Sequence, residues 1–353
     1  MSVSMPTATS TEQELAEEII VSADSHIMEP TDLWVNNLPA SFKGRYPEFP
    51  PRNAIGEKPG GYDPGARVDE MAVDRVSAEV LYPTLGLRLF ALEDAELQEA
   101  CFELANDWLI DYCKVHPDKL VGVPSVSLYN VDNAIKEMER CKKAGLVGVL
   151  IWQVPPEHLP FTSDHYNPFW EAAQDLQMPV NLHILTGFNY SRYERHGLDI
   201  YRMTVNQKLA DAANTLFDLV FGGPMSNYPD LKFVYVENEI SWIPFYLHEW
   251  DKYFKRHASR APLPHMKKLP SEYCNEQFYA TFFSDPTGGR LLDWWGSETC
   301  MWSSDYPHAA STWPHSRQVI ADELGHLPKD IFRKVVRENV LRLYDLKLEG
   351  INA

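Results

Sequence analysis

The chain has 353 residues, 44% of them hydrophobic and 12% aromatic, with 32 basic against 50 acidic residues and a formal net charge of −18 at pH 7. That length and composition can bury a substantial core, in one large domain or two small ones. The acidic balance offers no basic stripe for phosphates and no attraction to an anionic membrane, so nucleic acid and membrane are excluded as partners and the acidity reads as solubility.

Residues 1–17 are polar and read as a flexible N-terminal tail with no secretory signal, followed by a single domain over residues 18–348. An apolar stretch from Ile19 ends in Asp24-Ser25-His26 and breaks at Pro30. In a strand, alternation puts Asp24 and His26 on one side of the sheet, and both are good ligands for a divalent metal. The segment 33–64, rich in Pro, Gly and Asn, is a long loop insertion after strand one, long enough to act as a lid or active-site wall. Strands are predicted over 78–83, 120–126, 147–152, 180–184, 231–236, 278–283 and 299–304. Helical periodicity appears over 91–115, 131–144, 168–176, 201–221 and 329–343.

Eight apolar strands alternating with helices suit a parallel sheet buried on both faces, and at this length they favour an α/β fold of the (β/α)8 TIM-barrel type. No Gly-x-Gly-x-x-Gly or phosphate loop follows any strand, which disfavours the doubly wound nucleotide-binding alternative. Cys101, Cys113, Cys141, Cys274 and Cys300 are odd in number and lack Cys-x-x-Cys spacing. They read as reduced thiols of a cytoplasmic protein. No apolar run reaches membrane-spanning length.

In such a barrel the C-terminal ends of the strands converge on one site. Strand one ends at Asp24 and His26, strand five at His183, strand six at Glu237 and Asn238, and strand eight at Asp305. Asp24, His26, His183 and Asp305 make a mixed N/O set for one divalent ion, Zn²⁺ or Mn²⁺. Each has an ordinary alternative: a core histidine at 183, a helix N-cap at 305, a solvated loop at 237 and 239. Their coincidence at three strand ends favours the metal.

The runs Asp24-Ser-His26-Ile-Met-Glu29-Pro30, Trp302-Ser-Ser-Asp305-Tyr306-Pro307-His308 and Glu338-Asn-Val-Leu-Arg-Leu-Tyr344, together with His183, resemble the amidohydrolase superfamily. More narrowly they resemble the branch of aminocarboxymuconate-semialdehyde decarboxylase and the γ-resorcylate and 5-carboxyvanillate decarboxylases. The resemblance implies a distorted barrel of metal-dependent hydrolase type, a homodimer, and one divalent metal on Asp24, His26, His183 and Asp305. Two departures stand out. The branch opens with His-x-His or Glu-x-His where this chain has Asp-x-His, and a carboxylate there makes the site harder and tilts it toward Mn²⁺ or a less selective Zn²⁺ site. At strand six the branch carries His-Gly, where this chain has Glu237-Asn238.

The expected chemistry is metal-activated hydrolysis (C–N, C–O or C–C cleavage) of a small aromatic or ring-cleavage-derived carboxylic acid, with Asp305 as proton carrier, Glu237 as base and His308 orienting Asp305 or touching substrate. Non-oxidative decarboxylation of an aromatic or dienoic acid is the alternative. A metal-free binding protein on the same barrel is the alternative of another class. Arg67, Arg75 and Arg192 are candidate partners for a substrate carboxylate. Trp34, Phe188, Tyr190, Trp302 and Trp313 are candidates to wall a planar ring.

Overall fold

The short apolar runs form strands that bury both faces, as their lack of polar alternation requires. Every residue of β1 (Val21–His26), β2 (Ala78–Tyr82), β3 (Leu120–Gly122) and β4 (Val149–Ile151) is buried. The same holds for β5 (Val180–His183), β6 (Phe233–Val236), β7 (Phe278–Phe282) and β8 (Cys300–Trp302). The structure, a computed structural model, describes residues 17–50, 58–187 and 197–347. The expected tail, apart from Glu17, lies outside the described residues.

All ladder pairings are parallel, in two runs ordered β1-β2-β3 and β4-β5-β6-β7-β8. Backbone hydrogen bonds join the runs at both seams. The amide of Leu150 donates to the Pro124 carbonyl at 2.7 Å, and that of Val126 to the Leu150 carbonyl at 3.1 Å. On the other side the Asp305 amide donates to the Asp24 carbonyl at 3.0 Å, and the His26 amide to the Tyr306 carbonyl at 2.6 Å. The sheet thereby closes into a distorted eight-stranded barrel, and the closing seam runs through the candidate ligands themselves.

Helices cover the outside and are punctuated as their sequences suggest. Helix Ala95–Cys113 is capped by Asp94, whose carboxylate accepts from the Leu97 amide; helix Val131–Lys143 starts at Asn130 and ends in three basic residues. The helical pattern over 201–221 resolves into a six-residue π-helical stretch, Arg202–Gln207, followed by helix Lys208–Phe221. The terminal helical pattern likewise contains a π-helical stretch at Lys334–Glu338. Beyond it Tyr344 reaches under the barrel, its hydroxyl donating to Asn181 Oδ1 of β5 at 2.6 Å. The Tyr82 hydroxyl shares that acceptor at 2.9 Å. This buried trio fills the barrel below His26 and His183. No helix among the described residues is long and apolar enough to cross a membrane.

The insertion after β1 divides in two. Its first part, helix Leu33–Asn37, packs outward: Trp34 is fully buried and its indole donates to the Cys101 carbonyl at 3.0 Å. Trp34 is therefore core rather than a wall for substrate, because its polar edge is satisfied inside the helical layer. The second part, the turn Pro59–Gly61, returns to the barrel mouth, where the Met28 amide donates to the Gly61 carbonyl at 2.7 Å. A side chain at Gly61 would meet Met28 Cγ at 2.6 Å, so only glycine allows this approach.

Candidate metal centre

The ladder between β1 and β2 slips between Ser22 and Ser25, and Asp24 sits in that irregularity. The Ser22 hydroxyl donates to the Asp24 carbonyl at 2.9 Å, and the Ser304 amide donates back to Ser22 Oγ at 2.8 Å. These bonds stitch β1 to the residues just after β8.

The two histidines are set by their backbone partners. His26 Nδ1 lies 2.8 Å from the Pro83 carbonyl and His183 Nδ1 2.7 Å from the Ile184 carbonyl. Carbonyls only accept, so both Nδ1 atoms carry the proton and both Nε2 lone pairs face the barrel mouth. Those Nε2 atoms are 3.1 Å apart. Burial and neighbouring histidines hold His26 well below the usual imidazole range, and burial takes His183 down to about 3. Both are neutral, the form that ligates a metal.

Carboxylates complete the set. Asp24 Oδ1 and Asp305 Oδ1 each lie 3.5 Å from His26 Nε2, and Asp24 Oδ1 lies 3.9 Å from His183 Nε2. Glu237 Oε2 is 3.6 Å from His183 Nε2. Both oxygens of Asp24 and Oδ2 of Asp305 are buried without a hydrogen-bond partner. Burial, then Asp305, pushes the Asp24 carboxyl well above the usual range, and burial with Asp305 and Asp24 does the same to Glu237. Neutral imidazole lone pairs and unpartnered carboxylate oxygens facing one another are complementary to a divalent cation and to little else. The donor set fits the ion expected from the sequence. Two overlapping groups of ligand atoms come together within 4.8 Å: Asp24, His26, His183 and Glu237, and His26, Glu237, Asp305 and His308.

The backbone at the strand exits is forced. Glu237, Glu239 and Asp305 adopt φ of 60°, 54° and 54°. Left-handed conformations at non-glycine residues cost about 1–3 kcal/mol each and gather at functional sites.

His308 does not lie free beside the ion's place. Its Nδ1 is 2.8 Å from Asp305 Oδ1 and its Nε2 3.2 Å from Thr84 Oγ1, so it orients Asp305 and links it to the partly exposed surface. Asn238 is spent on a reciprocal amide pair with Gln153, at 3.0 and 3.1 Å.

Arg67 is not a substrate arginine. It is fully buried, ion-paired with Glu79, donates to the His26 carbonyl at 2.7 Å and to the Gly60 carbonyl at 3.2 Å, and stacks 4.5 Å over the Tyr306 ring. With a further contact from Nη2 to the Tyr306 carbonyl at 3.5 Å, its guanidinium ties β1, β2, the Pro59–Gly61 turn and the post-β8 loop together. Arg75 sits half-exposed in the left-handed C-cap of helix Pro64–Asp74, 3.4 Å from Glu17, away from the mouth. Arg192, Phe188 and Tyr190 lie outside the described residues. Trp302 is buried within β8, whereas Trp313 is partly buried against Tyr306.

Sequence reasoning missed two positioning groups. Glu29 is buried and accepts from the amides of Thr84, Leu85 and Gly86 at 3.1, 3.0 and 2.8 Å, pinning the loop that holds His308 through Thr84. The Arg67–Glu79 pair was signalled by a charged residue inside an apolar strand, since Glu is almost never fully buried unless paired.

The fold is shared with known proteins. The sequence model of the amidohydrolase family matches residues 33–346. The chain is 27% identical over 264 residues to the gamma-resorcylate decarboxylase of Rhodococcus jostii, covering 69% of this chain and 75% of that protein. Among solved structures, an amidohydrolase of Mycobacterium avium subsp. paratuberculosis superposes with a TM-score of 0.76 at 20% identity, over 93% of this chain and 99% of that one. The 5-carboxyvanillate decarboxylase of Novosphingobium aromaticivorans, solved with manganese and a hydroxy-methoxy-nitrobenzoic acid, superposes with a TM-score of 0.72 at 17% identity, over 94% and 97%.

Proposed function

The chain belongs to the amidohydrolase family, and on that premise we propose that it is a metal-dependent carboxy-lyase releasing CO₂ from an aromatic carboxylic acid. The observation that carries the reading is Asp305: one carboxylate oxygen is held by His308, the other is buried without a partner beside the candidate ligands. The gamma-resorcylate and 5-carboxyvanillate decarboxylases among the relatives support decarboxylation over the hydrolysis that the sequence alone had favoured.

Asp24, His26, His183 and Asp305 are the residues we assign to the ion, Mn²⁺ or Zn²⁺. When bound, it would supply a Lewis acid for a substrate carboxylate oxygen. Asp305 delivers a proton to the ring carbon that bears the carboxylate. The carbon–carbon bond to the carboxylate then breaks, CO₂ leaves, and the bonding pair returns to the ring to restore aromaticity. His308, in contact with solvent, returns the proton to Asp305. Trp313, partly buried beside Tyr306, is a candidate to flank a planar ring. The metal-free binding reading is disfavoured by the unpartnered oxygens of Asp24, which a purely structural site would satisfy.

Hydrolysis remains the second reading, because Glu237 beside His183 stands where a base for water is needed. We also read the protein as a cytoplasmic homodimer. The five free cysteines are all buried, and Phe245 (66% exposed) with Tyr246, Phe217 and Tyr253 forms an aromatic face. The deciding experiment is a panel of hydroxylated benzoic acids and ring-cleavage acids, assayed in ²H₂O and H₂¹⁸O. Release of CO₂ with one deuterium entering the ring supports the proposal. Incorporation of ¹⁸O with no CO₂ overturns it in favour of hydrolysis.

A further inference from the structure

The geometry points to Glu237 as a fifth protein ligand of the metal, giving three carboxylates and two imidazoles around one ion. This rests on the metal-dependent reading above.

The two overlapping ligand groups have His26 and Glu237 in common. The shared atom of His26 is Nε2, because Nδ1 donates to Pro83. A single imidazole nitrogen ligates one ion, so the groups describe one site seen from two sides rather than two ions. His308 falls out of that site, since both its nitrogens are engaged by Asp305 and Thr84. What remains is Asp24, His26, His183, Glu237 and Asp305.

The spacing agrees. Neighbouring ligands of an octahedral ion with bonds near 2.1 Å stand about 3 Å apart. Glu237 Oε2 at 3.6 Å from His183 Nε2 matches Asp24 Oδ1 at 3.5 Å from His26 Nε2. The backbone supports the same placement. The Glu237 amide donates to Thr281 Oγ1 of β7 at 2.9 Å, which anchors the peptide while φ sits at 60°. Three carboxylates, two imidazoles and one open position make a hard octahedral site, suited to Mn²⁺ more than to tetrahedral Zn²⁺.

The test is Mn²⁺ binding by electron paramagnetic resonance titration of metal-stripped wild type, E237Q and E239Q, followed by the crystal structure of Mn-loaded wild type. The expected result is one Mn²⁺ in wild type, affinity lowered at least ~100-fold in E237Q, beyond what losing a surrounding partner costs, and a much smaller change in E239Q. Wild-type-like affinity in E237Q overturns the inference while leaving the metal site intact, as does an equal loss in E239Q, which would mark a through-space charge effect. No ion in wild type overturns the site and the inference together. The wild-type structure decides even if E237Q fails to fold: a Glu237 oxygen within about 2.5 Å of Mn²⁺ supports ligation, and an intervening water refutes it.

Discussion

Asp24→Asn should stabilise the metal-stripped protein and abolish its response to metal. Both oxygens of Asp24 are buried without hydrogen bonds, and Asp305 lies close. An uncompensated buried charge costs roughly 3–5 kcal/mol, a cost that proton uptake lessens, so an uncharged side chain of the same shape should recover about 1–3 kcal/mol. For a chain of this length that is a rise in Tm of about 1–4 °C. With Mn²⁺ at about 1,000 times its Kd, wild type should gain about 4.1 kcal/mol, whereas the variant should gain nothing at that concentration. The two melting curves should therefore exchange order between chelator and Mn²⁺. Differential scanning fluorimetry in both buffers measures this. A variant that melts below wild type in chelator would show Asp24 to be a structural acceptor and refute the reasoning.

Arg67→Met alone leaves Glu79 buried and unpaired and frees the His26 and Gly60 carbonyls, at a cost of about 3–5 kcal/mol in unfolding experiments; adding Glu79→Leu should recover much of it, and no recovery would refute the clamp. Burial first, then Asp285, pushes Glu239 up to about 8. A raised carboxyl stabilises the fold fully below its unfolded value and loses that contribution as pH climbs to the folded one. The advantage of Glu239→Gln over wild type in chelator should accordingly grow from about pH 4.5 to 8, by at most about 1.4 kcal/mol per pH unit; a pH-independent difference would contradict it. His308→Ala should lower kcat by about 10–100-fold with metal content unchanged, as expected for a group that orients Asp305, and loss of the metal would instead make His308 a ligand.

The barrel was legible because its strands are short apolar runs, a pattern that only a sheet covered on both faces explains. The candidate ligands were legible because Asp24-x-His26, His183 and Asp305 stand where such strands end. The sequence did not reveal how these residues face one another. Trp34 and Arg67 illustrate the limit. Each looked available for substrate, yet the indole of Trp34 is satisfied by Cys101 in the helical layer and Arg67 is locked beneath the site by Glu79. Partners 67 and 12 residues away cannot be read from local pattern.

Local sequence thus determined which side chains reach the mouth of this barrel, since alternation and strand ends are properties of a few neighbouring residues. Only the closed structure decided how they face one another. Closure joins Asp24 to Asp305, 281 residues on, turns both imidazole Nε2 atoms inward through contacts with Pro83 and Ile184, and swings Glu237 in on a left-handed backbone. A metal site is a set of distances between distant strands, and those distances exist only once the barrel has closed.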